Sequence, residues 1–528
     1  MVNIIESPGA AETSHSLYAA AMEPWLQPLY DAEGMRATDR WAIEEQGVPS
    51  LELMEAAGRA LAEAVVGLAP QGPVRVVCGK GNNGGDGFVA ARLLRELGFE
   101  AEVLLLWPAA EAKGDAAANL ARVEAEEVGE AGLRERLRGS GAAVDAIFGT
   151  GFSGAPREPA AAAIAAINEC GAPVVACDVA SGVDASSGEV AGAAVEADLT
   201  VSFHAAKVGQ LIAPGKWATG ELRVAPIGIP SGAPAAPAAG TIGPSVLELL
   251  PVRGAHSTKF SSGQVTIAGG SRGLTGAVRM SSRAAIRGGA GYATVAVPAD
   301  LQEVFATADP EVMSKAVPGG DGCFSPDSAE PLLAAFGRAA AGVLGPGLGR
   351  EEGSLALARE VGPRIGAPLV IDADGLNAFA GRLAEIAGRG APTVLTPHAG
   401  ELGRLLGRES TEIDAHRLAA VREAAAASGA VVVLKGDDTI VAEGRRVAVN
   451  AVSAPGLATA GTGDVLSGLT AALLARGLEP FAAACAAVLA HARAGREAAR
   501  RIGAAESVIA TDVIAAIPAG LRGEGRVD

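Results

Sequence analysis

Aromatic residues and cysteines are scarce in this chain. Only 3% of the 528 residues are Phe, Trp or Tyr, whereas glycine occurs 71 times, so we expect a core that packs through aliphatic side chains and close backbone approach. The five cysteines form an odd set without a CxxC pair. They indicate neither a disulfide framework nor a zinc site, and they fit a reducing cytoplasm.

The chain also lacks long apolar runs and clustered positive charge. No run approaches the length of a membrane span, and the first residues carry Glu6 and Glu12 where a secretory signal would be basic. The formal net charge is −17, with scattered lysines and arginines, which argues against nucleic acid as a partner. We therefore expect a soluble cytoplasmic protein that binds small molecules and no membrane.

The length predicts two sizeable domains. In each half, short apolar runs alternate with helical patterns, which is typical of an α/β fold with a parallel, doubly wound sheet. A stretch rich in Pro, Gly and Ala separates the halves. We place an N-terminal extension at 1–27, a first domain at 28–232, a linker at 233–243 and a second domain at 244–528.

In the first half, polar and glycine-rich loops follow the predicted strands. The apolar run 74–78 precedes the loop 79–87, which matches neither the dinucleotide-binding nor the P-loop pattern. Runs 143–148 and 173–177 are also followed by such loops. Ligands of these sheets bind outside the carboxyl ends of the strands, so we expect the loops to converge. Lys207 could pair with a phosphate there or be simply solvated.

The second half repeats this arrangement. Its polar strand ends are Gly269–Ala277, Gly345–Gly349, Asp372–Asn377, Thr396–Glu401, Lys435–Thr439 and Ala460–Asp464. The last of these opens a helix that we expect to end near Gly477 and whose free N–H groups would bind an anion. Asp464 fits a base beside a transferred phosphoryl group better than an anion binder. The alternative is an ordinary carboxylate in a first helical turn.

Other residues of the second half remain open between two interpretations. We favour a ligand contact for His398 over a structural role. Asp372 and Asp374 could organise magnesium and water, or they could cap the following helix. Lys435 could reach a nucleotide phosphate or belong to a charged turn.

In their order, these motifs resemble those of the bifunctional NAD(P)H-hydrate repair enzymes, in which an NAD(P)HX epimerase is fused to an ADP- or ATP-dependent NAD(P)HX dehydratase. The resemblance covers about residues 28 to 520. In the first half it rests on Asn82–Gly87, Asp145–Gly151, Asp178–Gly182 and Ile227–Pro230. In the second half it rests on Gly269–Ser271, Thr275–Ala277, Gly345–Gly349, Asp372–Asp374, Thr396–Glu401, Lys435–Gly436 and Gly461–Asp464.

For the first half, the resemblance implies a Rossmann-like epimerase domain. Asp178 would be the acid/base that interconverts the R and S hydrates. A potassium ion would be bound by Asn83, Asp145 and Ser181. The hydrated dinucleotide, NADHX or NADPHX, would be bound by Asn82, Asn83, Gly84, Gly85, Asp86, Gly149, Thr150, Gly151, Phe152, Ser153, Gly154, Ala155 and Asp178.

For the second half, the resemblance implies a ribokinase-like dehydratase domain that uses magnesium with ADP or ATP. The hydrate would lie near Ala277, Gly347, His398 and Asp464. The nucleotide would contact Lys435, Gly436, Asp437, Asp438, Thr439 and Gly463, and an anion hole would form at Gly461, Thr462 and Gly463. As the base, Asp464 would take the proton of the nicotinamide hydroxyl, which attacks the terminal phosphoryl group before phosphate leaves.

Two positions depart from the family pattern. Ala180 stands where a proline is usual, and the usual His-Lys-Gly is spread out over 255–260. The rival interpretation is a sugar or vitamin kinase fused to a nucleotide-binding regulatory module. We also expect a homo-oligomer.

Overall fold

The computed structural model of the protein describes residues 22–307 and 309–523, so most of the predicted extension 1–27 lies outside the described residues. The chain forms two compact units. The first contains Pro28–Gly240, and the second contains Trp25–Gln27 and the chain from Thr241 onward. No helix in the described ranges combines the length and the apolar composition needed to cross a lipid bilayer.

The part of the chain up to Ala225 alternates strands with helices. The strands are β1 Leu26–Leu29, β2 Val74–Cys78, β3 Ala101–Leu105, β4 Ala125–Glu127, β5 Ala142–Ala146, β6 Val174–Cys177, β7 Leu199–Phe203 and β8 Glu221–Ala225. The helices are α1 Ala32–Arg40, α2 Ser50–Gly67, α3 Asn82–Glu96, α4 Gly114–Leu120, α5 Glu130–Leu137, α6 Ala160–Asn168 and α7 Gly215–Thr219.

The first unit is built on a parallel seven-stranded sheet with the order β4-β3-β2-β5-β6-β7-β8. Consecutive side chains of β2 point to opposite faces, as the pleat requires. Val76 joins a buried cluster with α2 and α3, whereas Val77 joins a second cluster with α5 and α6. Both faces of the sheet are therefore covered, which is the predicted α/β architecture.

The first unit differs from the sequence prediction at the motif that begins with Asn82. We predicted a loop as far as Gly87, but α3 begins at Asn82. The glycines serve close packing in this helix. A Cβ added at Gly84 would lie 2.0 Å from the carbonyl oxygen of Gly79, and one at Gly87 would lie 2.7 Å from the Cβ of Ala146. The motif thus brings the helix directly against the strand ends.

The second unit contains the remaining elements. Its strands are β9 Ala239–Ile242, β10 Gln264–Ala268, β11 Tyr292–Pro298, β12 Val312–Val317, β13 Gly319–Gly320, β14 Cys323–Phe324, β15 Ala341–Leu344, β16 Leu369–Ile371, β17 Thr393–Leu395, β18 Val431–Leu434, β19 Ile440–Glu443 and β20 Arg446–Val449. Its helices are α8 Thr275–Arg287, α9 Gln302–Ala306, α10 Ala329–Phe336, α11 Glu352–Val361, α12 Asp374–Asn377, α13 Ala384–Ala387, α14 Ala399–Leu406, α15 Ser410–Ala415, α16 Arg417–Ser428, α17 Thr462–Ala475, α18 Pro480–Ile502 and α19 Ala510–Gly520.

The strands of the second unit run in the order β20-β19-β18-β17-β16-β15-β10-β11-β12. They are parallel from β18 to β12 and antiparallel at the β18–β19–β20 end. Helices α17 and α18 lie against these strands. Helix α8 packs on α17, and α19 packs on α18. The strand β9 lies within the predicted linker 233–243, and the division between the two units falls inside this strand.

Candidate active sites

The first unit contains a cavity of about 750 Å³ at the carboxyl ends of its strands. It lies where the strand order reverses, between β2 and β5, which is the usual ligand position in such sheets. The predicted site residues that line it are Asn82, Asn83, Asp86, Gly149, Thr150, Gly151, Phe152, Ser153 and Asp178. Gly84 and Gly85 are buried within α3 instead, and neither Gly154 nor Ala155 lines this cavity.

Asp178 follows β6 with a positive φ of 65° and points its carboxylate at Lys207. The Lys207 ammonium group donates to Asp178 Oδ1 at 2.5 Å, to Ser202 Oγ at 2.9 Å and to the Phe203 carbonyl at 2.8 Å. Thr150 donates its hydroxyl to Asp178 Oδ2. Lys207 is completely buried, so the solvated alternative that we considered for it is wrong. It holds the catalytic candidate Asp178 in place.

The ion pair sets the protonation state of Asp178. Burial acts to raise the pKa of this carboxyl, but the charge of Lys207 and the hydrogen bonds from Lys207, Thr150 and Phe203 outweigh burial and lower it. Asp178 is therefore ionised at neutral pH. Its carboxylate is ready to accept a proton and not to donate one.

Two further acids of this cavity have raised pKa values. Burial raises the pKa of Asp39 to about 6, with Lys207 opposing and Asp178 reinforcing the shift. Burial, followed by the charges of Asp178 and Asp39, raises the pKa of Asp86 well above its usual range. Sequence reasoning missed Asp39, because one acid in an amphipathic helix carries no local signal.

Behind the cavity, Asp145 and Ser181 form a buried polar pair. The Ser181 hydroxyl donates to Asp145 Oδ1 at 2.6 Å, and the Ser181 amide donates to Oδ2 at 2.8 Å. Burial raises the pKa of Asp145 to about 6 although these hydrogen bonds act against the shift. Asn83 lies beside the same turn, since a Cβ added at Gly149 would be 2.7 Å from Asn83 Oδ1. Among the described residues, Asn83 Nδ2 is buried and has no hydrogen-bond partner.

The second unit contains a cavity of about 280 Å³ between the end of β18 and the start of α17. The predicted nucleotide and anion-hole residues that line it are Lys435, Gly436, Asp437, Thr439, Thr462 and Gly463. Asp438 is not among the lining residues. Its buried carboxylate receives two hydrogen bonds of 2.9 Å from the guanidinium group of Arg417, so it anchors this turn from inside.

The start of α17 requires a glycine at Gly461. This N-cap residue has a φ of 90°, and a Cβ added to it would lie 2.5 Å from Met280 Sδ. The following residues, Thr462, Gly463 and Asp464, form the first turn, where backbone N–H groups have no partner within the helix. The hydroxyl of Thr462 is occupied by backbone carbonyls, so only its amide can serve an anion hole.

Asp464 stands in this first turn beside other acids and Lys435, whose side chain is partly exposed. Burial, then the charge of Asp372, raises the pKa of Asp464 to about 7, while Lys435 opposes the shift. Lys435 Nζ lies 3.1 Å from Asp372 Oδ1 and 3.5 Å from Glu401 Oε2. Burial tends to lower the pKa of Lys435, but Asp372 and Glu401 raise it. The charged Lys435 therefore lies between the carboxylates of Asp372 and Glu401, close to Asp464, whose pKa is near neutrality.

Two further predicted residues, His398 and Asp374, make hydrogen bonds that stabilise the local structure. His398 caps α14: its Nδ1 accepts from the Gly400 amide at 3.0 Å, while its side chain remains 55% exposed. Burial lowers the pKa of His398. Asp374 accepts hydrogen bonds from Gly349 and Arg350, which favours the structural interpretation for it.

The positions of Ala277 and Gly347 agree with a shared turn. A Cβ added at Gly347, whose φ is 60°, would lie 3.3 Å from the Cβ of Ala277 and 2.4 Å from the Leu274 carbonyl oxygen. The loops after β10 and β15 thus meet where the strand order of the second unit reverses.

Comparison with known proteins gives the family. A family model described as NAD(P)H-hydrate dehydratase matches residues 265–519, and one described as YjeF-related protein N-terminus matches residues 50–209. The chain is 38% identical to the bifunctional NAD(P)H-hydrate repair enzyme of Moorella thermoacetica, over 94% of this chain and 96% of that one. It is 40% identical to the enzyme of the same name from Salinibacter ruber, over 96% and 98%.

Among solved structures, the ADP/ATP-dependent NAD(P)H-hydrate dehydratase from Bacillus subtilis, co-crystallised with ATP and Mg²⁺, is 27% identical with a TM-score of 0.45 and covers 52% of this chain and 94% of that one. The similarity to the curated enzymes extends over both units and nearly the whole length. The chain belongs to the family of bifunctional NAD(P)H-hydrate repair enzymes.

Proposed function

We propose that this chain repairs hydrated NADH and NADPH in two steps. The first unit interconverts the R and S hydrates, and the second dehydrates the S form at the expense of ADP or ATP. The observation that carries this proposal is Asp464: a carboxylate with a pKa of about 7 in the first turn of a glycine-capped helix, beside a cavity that Lys435 lines. That arrangement suits proton removal next to a transferred phosphoryl group.

In the second unit, Asp464 takes the proton of the nicotinamide hydroxyl, and the hydroxyl oxygen attacks the terminal phosphoryl group. The amides at the start of α17 and the Lys435 ammonium group stabilise the negative charge that develops. The bond between the ring carbon and the phosphorylated oxygen then breaks, phosphate leaves, and loss of a proton from the neighbouring ring carbon restores the double bond of NAD(P)H. Asp372, 3.1 Å from Lys435, has a carboxylate suited to magnesium that enters with the nucleotide, because magnesium commonly binds phosphates and one or two carboxylates.

In the first unit, Asp178 is the acid/base that exchanges the two hydrates. Lys207 keeps it ionised, and the Thr150 hydroxyl fixes the orientation of its carboxylate. The raised pKa of Asp39 makes this residue a proton donor of the same cavity near pH 6.

The residues Asn83, Asp145 and Ser181 fit a potassium ion. They supply an amide, a carboxylate and a hydroxyl group, and the unpartnered Asn83 amide is free to turn its oxygen towards a cation. The buried Asp145 carboxylate would gain the counter-charge whose lack raises its pKa. When bound, the ion would supply that positive charge and order the turn that carries Thr150.

One absorbance assay at the reduced-nicotinamide band tests the function. The chain is given mixed R and S hydrates with either ADP or ATP. We expect both hydrates to be consumed completely and NAD(P)H to appear in equal amount. Recovery of only the S portion would remove the epimerase, and accumulation of a phosphorylated product would favour the rival kinase.

The five cysteines all lie within the described residues and form no disulfide there, which fits the predicted cytoplasmic location. The homo-oligomer stays a prediction, and light scattering of the purified chain measures it.

A further inference from the structure

Three aromatic rings form one wall of the cavity in the first unit. Phe148 and Phe152 stack with ring centres 4.7 Å apart and 17° between their planes. Trp107 lies 6.1 Å from Phe148 at 54°. All three residues line the cavity, and we call them the aromatic wall. In a chain with only 3% aromatic residues, such a group on one ligand-sized cavity calls for a functional explanation.

Lys80 accompanies the aromatic wall. Its Nζ lies 5.7 Å from the centre of the Trp107 ring, in the range of a cation–π contact, and 2.7 Å from Glu111 Oε2. The side chains of Lys80 and Glu111 are 50% and 44% exposed. Lys80 also lines the cavity, so its charge is available to a phosphate at little desolvation cost.

Trp107, the outer ring of the aromatic wall, lies at the opposite end of the row of strand ends from Asp178, whereas Phe148 and Phe152 flank Thr150, whose hydroxyl donates to Asp178. Trp107 follows β3, Phe148 follows β5 and Asp178 follows β6, in a sheet where β3, β2, β5 and β6 are neighbours. Three strand spacings of about 4.8 Å separate β3 from β6, or roughly 14 Å. That length suits an extended dinucleotide whose two rings occupy the two ends of the cavity.

We propose that Trp107, at the outer end of the aromatic wall, stacks the purine base of the hydrated dinucleotide, while Asp178 holds the hydrated ring at the other end of the cavity. This rests on the epimerase function proposed for the first unit. Hydration saturates one of the two ring double bonds of the dihydronicotinamide and puckers that ring, so the purine is the one aromatic ring of the substrate with two planar faces for stacking. Lys80, beside Trp107, then meets the phosphates that join the two halves of the ligand.

The test compares two substrates in three variants of the full chain. Trp107→Ala removes the wall's outer ring, Trp107→Phe keeps an aromatic face, and Trp217→Ala is the control, because Trp217 is 71% exposed and lies in the same unit outside the cavity. Exchange between R and S forms is measured for hydrated NADH and for hydrated nicotinamide mononucleotide, which lacks the purine.

We expect Trp107→Ala to raise KM for hydrated NADH roughly 5- to 150-fold, the usual effect of losing one base–aromatic stack, with kcat retained. KM for the mononucleotide hydrate stays at its wild-type value, Trp107→Phe recovers most of the loss, and Trp217→Ala changes neither substrate. An equal effect on both substrates, or no effect on either, would overturn the stacking proposal.

Binding of NADH itself, titrated calorimetrically into wild type and Trp107→Ala, separates this proposal from the function on which it rests. A chain that exchanges no hydrate but binds NADH more weakly in Trp107→Ala refutes the epimerase and keeps the stack. Equal NADH affinity in the two proteins refutes the stack, whatever the exchange rate.

Discussion

The dehydratase reaction should depend steeply on pH through Asp464. The pKa of this carboxyl is raised to about 7, first by burial and then by Asp372. Because only the ionised form can accept the hydroxyl proton, kcat should be full above pH 8 and should fall about tenfold per pH unit below pH 6. Asp464→Asn should lower kcat by roughly 10²- to 10⁴-fold above pH 8, where the wild-type carboxyl is ionised, and leave binding of the hydrate largely intact.

Asp372→Asn tests the cause of that pKa. Removing this negative charge also releases Lys435 from its 3.1 Å ion pair, and both changes favour the ionised form of Asp464. We therefore expect the midpoint of the kcat profile to move down by about one pH unit, the ordinary effect of one nearby charge. A mere loss of nucleotide affinity would leave this midpoint unchanged, because kcat is measured at saturation.

The assay follows NADH formation from the S hydrate at saturating ATP between pH 5.5 and 8.5. The control is the Asp327→Asn variant, which removes an exposed acid of the same unit. A flat profile in the wild type would refute the assignment of Asp464 as base. An Asp372→Asn midpoint equal to that of Asp327→Asn would refute the electrostatic origin of its pKa.

Three further predictions concern residues that the structure brings together. Lys207→Met leaves Asp178 buried without its counter-charge, so the first unit should lose about 3–5 kcal/mol of stability in thermal unfolding. The double variant Lys207→Met with Asp178→Asn should recover most of that stability. An unchanged Tm of the single variant would contradict the ion pair. Gly461→Ala forces a side chain into Met280 and should lower dehydratase kcat but not hydrate exchange, and normal NADH formation would show that the helix start tolerates it. Asn83→Ala should abolish the stimulation of hydrate exchange by potassium over lithium chloride, whereas equal stimulation in both proteins would exclude Asn83 as a ligand.

The central strands of both sheets could be predicted from apolar runs, whereas edge strands such as β4, β8 and β12 could not. The run 74–78 is β2 residue for residue, and the run 369–371 is β16. Because the strands are parallel, the loops that follow them must meet at one edge, so the sequence also predicts where polar residues gather. The helix start at Asn82 escaped prediction, because four glycines within the seven residues 81–87 are the usual mark of a loop, and only the contacts with Gly79 and Ala146 show their packing role.

The partners of charged residues could not be predicted from the sequence. Lys207 and Asp178 are 29 residues apart, and Arg417 and Asp438 are 21 apart. Each pair meets only after intervening elements have folded, and no local pattern marks either member as buried. For the same reason, the sequence predicted that Asp438, like Asp437, contacts the nucleotide, although its buried carboxylate pairs with Arg417.

The two halves of the chain should respond differently to acid, because each pairs its candidate catalytic carboxylate with a lysine in a different balance of charge. Lys207 keeps the Asp178 carboxyl ionised. In the second unit, Lys435 does not offset burial and the charge of Asp372, so the pKa of Asp464 remains at about 7. On mild acidification, dehydration would slow while exchange of the hydrates continued. Both hydrates would then accumulate in their equilibrium ratio. When the pH returned to neutral, the second unit would dehydrate the S form at once, because the first unit had kept the two forms in equilibrium.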